Sequence, residues 1–167
     1  MEQKCWYVVQ SKPQKEAAVC AQLANFKERI ECFLPKIRSH LGVRPLFPSY
    51  LFIKTRMEDT ENYRLLRYTR GLLKIIGMRE DKPIPVPLAV IDTIKDRLGE
   101  DGLIDQRKVM VMGRQVRVRK GPLKDLIGIL EKPAGEEGRI QILFRLLKYP
   151  MRAVLKYRRS PRNRPLR

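Results

Sequence analysis

The sequence predicts an α+β protein with two parts, a ferredoxin-like antiparallel sheet with helices and a small SH3-like β-barrel. Within residues 1–98, strand-like and helix-like runs follow the order β-α-β-β-α-β-α, which favours an antiparallel sheet with helices on one face. Residues 99–108 are polar, contain glycine and are typical of a linker. Five short strand-like runs within residues 109–157 predict the barrel, and residues 158–167 form a basic tail.

Hydrophobic periodicity and helix-boundary residues define the elements of the first part. Pro13 suits the first turn of a helix, Asp59 or Thr60 can cap the second helix, and Gly71 suits its left-handed end. Residues 38–45 are a polar, basic connection. The predicted strands are Trp6–Gln10, Cys32–Leu34, Phe47–Thr55 and Leu72–Ile76, and the predicted helices are Glu16–Phe26, Glu58–Tyr68 and Leu88–Leu98.

The run Leu46–Ile53 is the stretch around which this part is organised. Aromatic and aliphatic residues surround a turn signal at Pro48, and alternation then places Tyr50 and Phe52 on one face of a strand. The domain's own helices can cover the other, aliphatic face. With Phe47, the aromatic face would then be a contact surface for a partner. The alternative is an interior strand that is buried on both faces.

The chain is strongly basic, with a net charge of +18 and a pI of about 10.3, which points to a polyanionic neighbour such as nucleic acid. Residues 1–98 carry 18 Lys and Arg against 11 Asp and Glu, whereas residues 99–167 carry 18 against 7. The C-terminal part is therefore the more basic. No run is apolar enough to span a bilayer and no signal peptide pattern opens the chain, so a cytoplasmic protein is expected.

The reactive side chains do not suggest catalysis. Cys5, Cys20 and Cys32 are far apart in sequence and His40 has no partner at ligand spacing, so free thiols in a reducing cytosol are expected rather than a zinc site or a disulfide. No nucleophile–base set and no phosphate-cradling glycine loop is present in the sequence. We therefore predict a non-enzyme that needs no cofactor.

Several motifs resemble the NusG-type transcription elongation factors. The segment Val116–Val118 through Gly121-Pro122-Leu123 to Gly128 is similar to the KOW motif of their C-terminal barrel. Lys12, Thr69-Arg70-Gly71 and the run from Val86 to Ile91 are most similar to the specialised RfaH-like antiterminators of that family. The segments that resemble the family's N-terminal (NGN) domain are Trp6–Val9, Leu46–Phe52, Thr69–Gly71 and Pro83–Pro85.

The resemblance implies an elongation and antitermination factor. Phe47, Tyr50 and Phe52 would bind the clamp helices of RNA polymerase, which would hold the clamp closed and suppress pausing. Lys12, Thr69 and Arg70 match positions that contact the non-template DNA strand, and lysine and arginine suit phosphates.

The sequence departs from the RfaH-like pattern at two places. Gln22 replaces a DNA-contacting histidine, which implies a different DNA element. The segment Asn62-Tyr63-Arg64 replaces a His-Thr-Thr contact to the polymerase gate loop, so that second polymerase contact is not implied for this chain.

The C-terminal partners follow from the same resemblance. The region Phe144–Lys148 lacks the Phe-Gly-Arg loop implicated in Rho binding, which argues against Rho as a partner. Leu143, Leu146 and Leu147 are candidates for contact with ribosomal protein S10 or with the N-terminal domain. The protein is expected to be a monomer without a membrane partner. The competing interpretation is an RNA-binding or ribosome-associated KOW protein.

The C-terminal part also carries a helical pattern, which RfaH-like proteins use for a hairpin that covers the polymerase site. Alternation instead places Ile140, Ile142, Phe144 and Leu146 on one face of a strand. A helix-breaking Gly128 and an Arg44–Arg139 pair, where RfaH-like proteins have an ion pair, oppose the hairpin. The residues at helical spacing are Leu123, Leu126, Ile127 and Leu130, then Ile140, Leu143, Phe144 and Leu147.

Overall fold

The computed structural model describes residues 3–79, 82–105, 122–131 and 134–147. The helices are α1 (Glu16–Leu23), α2 (Thr60–Tyr68), α3 (Leu88–Lys95), α4 (Pro122–Glu131) and α5 (Glu136–Leu146), and a 3₁₀ turn (Ala24–Phe26) extends α1. The strands are β1 (Cys5–Ser11), β2 (Glu31–Phe33), β3 (Lys36–Ser39), β4 (Gly42–Pro45), β5 (Tyr50–Thr55), β6 (Leu72–Ile75), β7 (Met78–Arg79), β8 (Lys82–Pro83) and β9 (Leu103–Asp105).

The centre of the fold is a four-stranded sheet in the order β2-β5-β1-β6, with all neighbours antiparallel. Its middle strands pair in a register that sets Val8 opposite Phe52 and Tyr7 opposite Ile53. Directly opposed residues share a face, so each face of the sheet becomes hydrophobic. The predicted antiparallel α+β sheet is confirmed.

One face of the sheet is covered by α1 and α2. Val19 and Leu23 of α1 and Leu66 of α2 are buried against Leu51 and Ile53 of β5. The side chain of Asp59 caps α2 by accepting a hydrogen bond of 2.9 Å from the backbone N–H of Glu61, as its position before the helix predicted.

The other face carries α3, so the prediction that all helices lie on one face is wrong. Val86 donates its backbone N–H to the carbonyl of Trp6 at 2.7 Å. Trp6 lies in the first half of β1, whereas β6 pairs with the second half. This contact leads the chain to the opposite side of the sheet. There, Val90, Ile91 and Ile94 of α3 are buried in one cluster with Trp6.

A second sheet has the order β4-β3-β9, with β3 and β4 antiparallel and β3 and β9 parallel. Two predictions are wrong here. Residues 38–45 belong to the β3–β4 hairpin rather than to an irregular connection, and the predicted linker 99–108 contains β9. Ile104 of β9 is buried in the hydrophobic core, which explains the pairing. Arg38 of β3 also forms an ion pair of 2.9 Å with Asp101.

Residues 122–131 and 136–146 form a helical hairpin, α4 and α5. The predicted barrel strands at residues 126–130 and 140–147 are therefore wrong for this state of the chain, and the alternative helical pattern is the one adopted. Gly128 is accommodated within α4, where it is exposed. The other three predicted barrel strands, Val109–Met112, Gln115–Arg119 and Arg152–Tyr157, and the basic tail lie outside the described residues.

The expectation of free thiols is wrong for two of the three cysteines. Cys20 of α1 and Cys32 of β2 form a disulfide with a Cα–Cα distance of 5.6 Å, and Cys5 is free. The bond joins the helix to the edge strand of the central sheet. The spacing of the cysteines in the sequence does not predict this disulfide, because the two residues meet only when α1 packs across the sheet.

Candidate functional site

Aromatic side chains at the start of β5 form the centre of the candidate site. Phe47, Tyr50 and Phe52 are only 1%, 8% and 1% exposed. Phe47 and Phe52 lie edge to face, with ring centroids 6.0 Å apart, and the ring of Tyr50 lies 5.5 Å from that of Phe144 in α5 in the same geometry. The strand is thus buried on both faces, as the alternative interpretation of the sequence held.

The hairpin contacts Tyr50 and belongs to the hydrophobic cluster that also contains Phe47 and Phe52. The residues that it buries in the same cluster as Phe47, Tyr50 and Phe52 are Leu126, Ile129 and Leu130 of α4, and Ile140, Leu143, Phe144, Leu146 and Leu147, which belong to or directly follow α5. The structure therefore places Leu143, Leu146 and Leu147 in the hydrophobic core of the closed chain.

Arg139 of α5 is the polar centre of this interface. Its side chain is 5% exposed, its Nε donates to the carbonyl of Leu46 at 2.6 Å, and its Nη1 donates to the carbonyl of Ala134. Burial lowers the pKa of the Arg139 guanidinium, Glu136 raises it and Arg44 lowers it. The guanidinium thus ties the hairpin to the backbone just before the aromatic residues.

The predicted repulsion between Arg44 and Arg139 is present but is partly compensated. Arg44 forms an ion pair of 3.8 Å with Glu136, which lies one helical turn before Arg139. Both members of this pair are half exposed, so it contributes at most about 1 kcal/mol. The polar link between the hairpin and the sheet therefore uses different partners from the ion pair that the resemblance suggested.

The turn before Tyr50 is held in a strained conformation. Ser49 has a φ of +68°, in the left-handed region that favours glycine. Its N–H donates to the carboxylate of Glu16 at 2.7 Å, and its carbonyl accepts from the N–H of Ser11 at 2.8 Å. Glu16 is itself buried. These bonds fix the direction in which β5 starts and hence the position of Tyr50.

The candidate nucleic-acid residues lie together on a second surface. Lys12 and Arg70 are exposed and Thr69 is half-buried, and the N–H of Lys12 donates to the carbonyl of Gly71 at 2.8 Å. The hydroxyl of Thr69 donates to the carbonyl of Leu65 at 2.7 Å. Gly71 has a φ of +92°, as its place after α2 predicted. The structure thus joins the two basic segments directly.

The segment Asn62-Tyr63-Arg64 is divided between core and surface. Asn62 is 1% exposed, and its amide donates to the carbonyl of Arg56 at 3.0 Å. Asn62 therefore has a structural role, whereas Arg64 is exposed. A buried asparagine could not have been assigned to the core from the sequence, because its position on α2 only becomes interior once α2 meets the sheet.

The described residues contain no group of three or more His, Cys, Asp and Glu side chains that could hold a metal ion. In the same ranges, no helix is long and apolar enough to cross a membrane. The functional candidates are thus two surfaces, one hydrophobic and covered, the other basic and open.

Comparison with known proteins identifies the family of the chain. Residues 4–95 match the family model described as transcription termination factor NusG. The transcription termination/antitermination protein NusG of Pasteurella multocida is 29% identical over 157 residues, covering 83% of this chain and 84% of the relative. The protein of the same name from Escherichia coli K12 is 28% identical over 155 residues, covering 83% and 85%.

A solved structure described as a domain interaction in Thermotoga maritima NusG aligns with a TM-score of 0.46 at 21% identity, covering 55% of each chain. The family model alone spans more than half of the sequence. The chain therefore belongs to the NusG family of transcription termination/antitermination factors.

Proposed function

We propose that this chain is a transcription elongation and antitermination factor that binds RNA polymerase through its N-terminal domain and is closed by its own helical hairpin. The observation that carries the proposal is that α4 and α5 are buried in one cluster with Phe47, Tyr50 and Phe52, and that the ring of Phe144 lies against the ring of Tyr50. The hairpin then acts as a mask, which is the behaviour of an RfaH-like factor rather than of a general one.

The covered face has the chemistry of a protein-binding site. Fully burying one large aromatic side chain stabilises an interface by roughly 1.5–3 kcal/mol, so three of them can anchor a partner. The element that now occupies the face is a pair of helices separated by four residues of sequence. The clamp helices of RNA polymerase would present a similar shape, so the hairpin and the polymerase would compete for one surface.

The basic surface would contact the exposed non-template DNA strand. Lys12 and Arg70 supply the cations, and the bond between Lys12 and Gly71 holds their two segments together. None of the three proposed DNA residues belongs to the hydrophobic cluster that the hairpin covers. DNA contact could therefore begin while the polymerase site is still masked.

After release, the C-terminal region would be free for a second partner. We propose that it then forms the KOW-type barrel, with Leu143, Leu146 and Leu147 available to ribosomal protein S10. The doubled periodicity of residues 140–147 supports this proposal. Carbon chemical shifts of these residues after release would change from helical to strand values if it is correct, and would stay helical if it is not.

A pausing assay with core RNA polymerase tests the main proposal. Phe144→Ala should open the mask and shorten pauses on a template that carries a defined pause site. In the double variant Phe144→Ala/Tyr50→Ala the hairpin should be released, but the central aromatic residue of the polymerase-binding face is missing. Pauses should therefore return to the length seen without the factor. The matched control is Phe144→Ala/Phe26→Ala, because Phe26 is an exposed aromatic outside both clusters. Full activity of the Tyr50→Ala double variant would contradict the proposal.

A further inference from the structure

Gln22 of α1 holds the loop that carries Arg70. Its Nε2 donates to the carbonyl of Arg70 at 2.8 Å, and the N–H of Arg70 donates to its Oε1 at 3.2 Å. The same Nε2 also donates to the carbonyl of Ala18, one turn earlier in α1, at 3.2 Å. The side-chain amide thus pairs with both peptide groups of one residue, as a neighbouring strand would.

The clamp acts on a residue that lies between a helix and a strand. Arg70 lies between the end of α2 and the start of β6, so its peptide groups belong to neither the helix nor the strand ladder. Gly71 follows with a φ of +92°, and a Cβ built on it would lie 3.4 Å from the Cβ of Lys15 in the segment before α1. A side chain at position 71 would therefore crowd Lys15, whereas the hydrogen bonds of Gln22 connect the loop to α1.

We propose that Gln22 is a positioning residue that gives the Arg70 side chain a fixed direction and so lets it read a base in single-stranded DNA rather than only a phosphate. This inference rests on the proposed DNA contact of Arg70. A phosphate contact tolerates a mobile arginine because it needs only proximity of charge. A bidentate contact to guanine needs two aligned N–H groups and is lost when the backbone turns.

The expected consequence is a loss of discrimination with little loss of overall affinity. Gln22→Met keeps the length of the side chain but removes both hydrogen bonds to Arg70. Gln22→Met should therefore bind a strand without guanine within about twofold of the wild type, while its preference for a guanine-containing strand falls about tenfold, within the range that one bidentate contact supplies. A residue that merely stabilised the fold would change both affinities alike.

The test uses the full chain and fluorescence anisotropy with oligo(dT) strands of about 12 nucleotides, with or without one central dG. Four proteins are compared: wild type, Gln22→Met, Arg70→Ala and the double variant. Arg70→Ala removes the side chain that would contact the base. It retains the backbone groups that bind Gln22, so the hydrogen bonds of Gln22 remain. We expect both single variants to lose the preference for dG, and the double variant to match Arg70→Ala.

The failures of the two proposals are distinguishable. If Arg70→Ala binds both strands as tightly as the wild type does, the DNA contact of Arg70 is refuted and the inference with it. If the wild type binds both strands alike but more tightly than Arg70→Ala, the DNA contact stands and the reading of a base is refuted. If Arg70→Ala loses the preference but Gln22→Met keeps it, only the positioning role is refuted. Amide hydrogen exchange at Arg70 provides an independent readout, which should be faster in Gln22→Met and unchanged in Asn25→Ala, an exposed amide on the following turn. Unchanged exchange in Gln22→Met would overturn the clamp itself.

Discussion

Replacing Phe144 by alanine should convert the closed chain into one that binds RNA polymerase more tightly. Phe144 is 4% exposed and packs edge to face on Tyr50, so its removal leaves a cavity between α5 and the sheet. Such a phenylalanine-to-alanine change in a core costs about 3–5 kcal/mol. The open state lacks the contact with Tyr50, but a barrel would bury Phe144 again and would also lose stability, so the low end of this range, about 3 kcal/mol, is an upper bound on the loss of the closed state relative to the open one.

The size of the effect follows from the equilibrium between the closed and open states. A shift of about 3 kcal/mol raises the fraction of open chains by roughly a hundredfold, since 1.4 kcal/mol corresponds to a factor of ten. The apparent affinity rises by the same factor until the open state dominates, after which it levels off. We therefore expect a large gain in affinity for core RNA polymerase, up to about a hundredfold.

The assay is a titration of labelled core RNA polymerase with the full chain. Phe26→Ala is the matched control, because Phe26 lies outside both hydrophobic clusters and its loss should not alter polymerase binding. Circular dichroism of Phe144→Ala checks that the central sheet is still folded. A folded Phe144→Ala protein that bound polymerase no more tightly than the wild type would refute the account of the hairpin as a mask.

Three further predictions concern other contacts. Arg139→Met removes the hydrogen bond to the Leu46 carbonyl and should destabilise the closed state. Charged hydrogen bonds contribute about 1.5–3 kcal/mol, and the cost of desolvating the charge offsets part of this. Polymerase binding should therefore tighten by roughly 5- to 30-fold. The control Arg145→Met loses only a half-exposed ion pair of 3.6 Å with Asp125 and should change binding little. Burial, reinforced by Cys5, raises the pKa of Tyr7 to about 12 from an ordinary value of 10.0. The folded state therefore retains the Tyr7 proton that the unfolded state loses, so stability should fall as the pH rises from 10 to 12, and denaturant titrations should show a shallower fall for Tyr7→Phe. Reduction of the Cys20–Cys32 bond, which spans 12 residues, should lower the free energy of unfolding by roughly 2–4 kcal/mol, whereas thermal unfolding of Cys20→Ser should be insensitive to the reductant.

Local physical rules explain which parts of the fold were predictable from the sequence. The helix Glu16–Phe26, the Asp59 cap and the left-handed Gly71 follow from interactions within a few residues along the chain. The strand Tyr50–Thr55 follows from alternation within its own length. These elements were recognised because each signal and its cause lie in the same short segment.

The features that escaped prediction depend on long-range packing. The side of the sheet that α3 occupies depends on long-range contacts, among them the hydrogen bond between Val86 and Trp6, which are far apart in sequence. Residues 140–147 carry both a helical and a strand pattern, and contact with Tyr50 favours the helix in the closed state. For the basic surface, the sequence indicated Arg70, but the pairing of Gln22 with its backbone depends on how α1 meets the loop.

The most direct test of the central claim is to release the hairpin from the intact protein without altering either surface. A protease site inserted between Asp105 and Pro122 would allow the chain to be cut before the hairpin, and binding to core RNA polymerase would be measured before and after cleavage. The account predicts weak binding by the intact chain and strong binding once the hairpin dissociates, with the gain abolished by Tyr50→Ala. Equal binding before and after cleavage, with the two pieces shown to be separated, would contradict the claim that α4 and α5 mask the polymerase site.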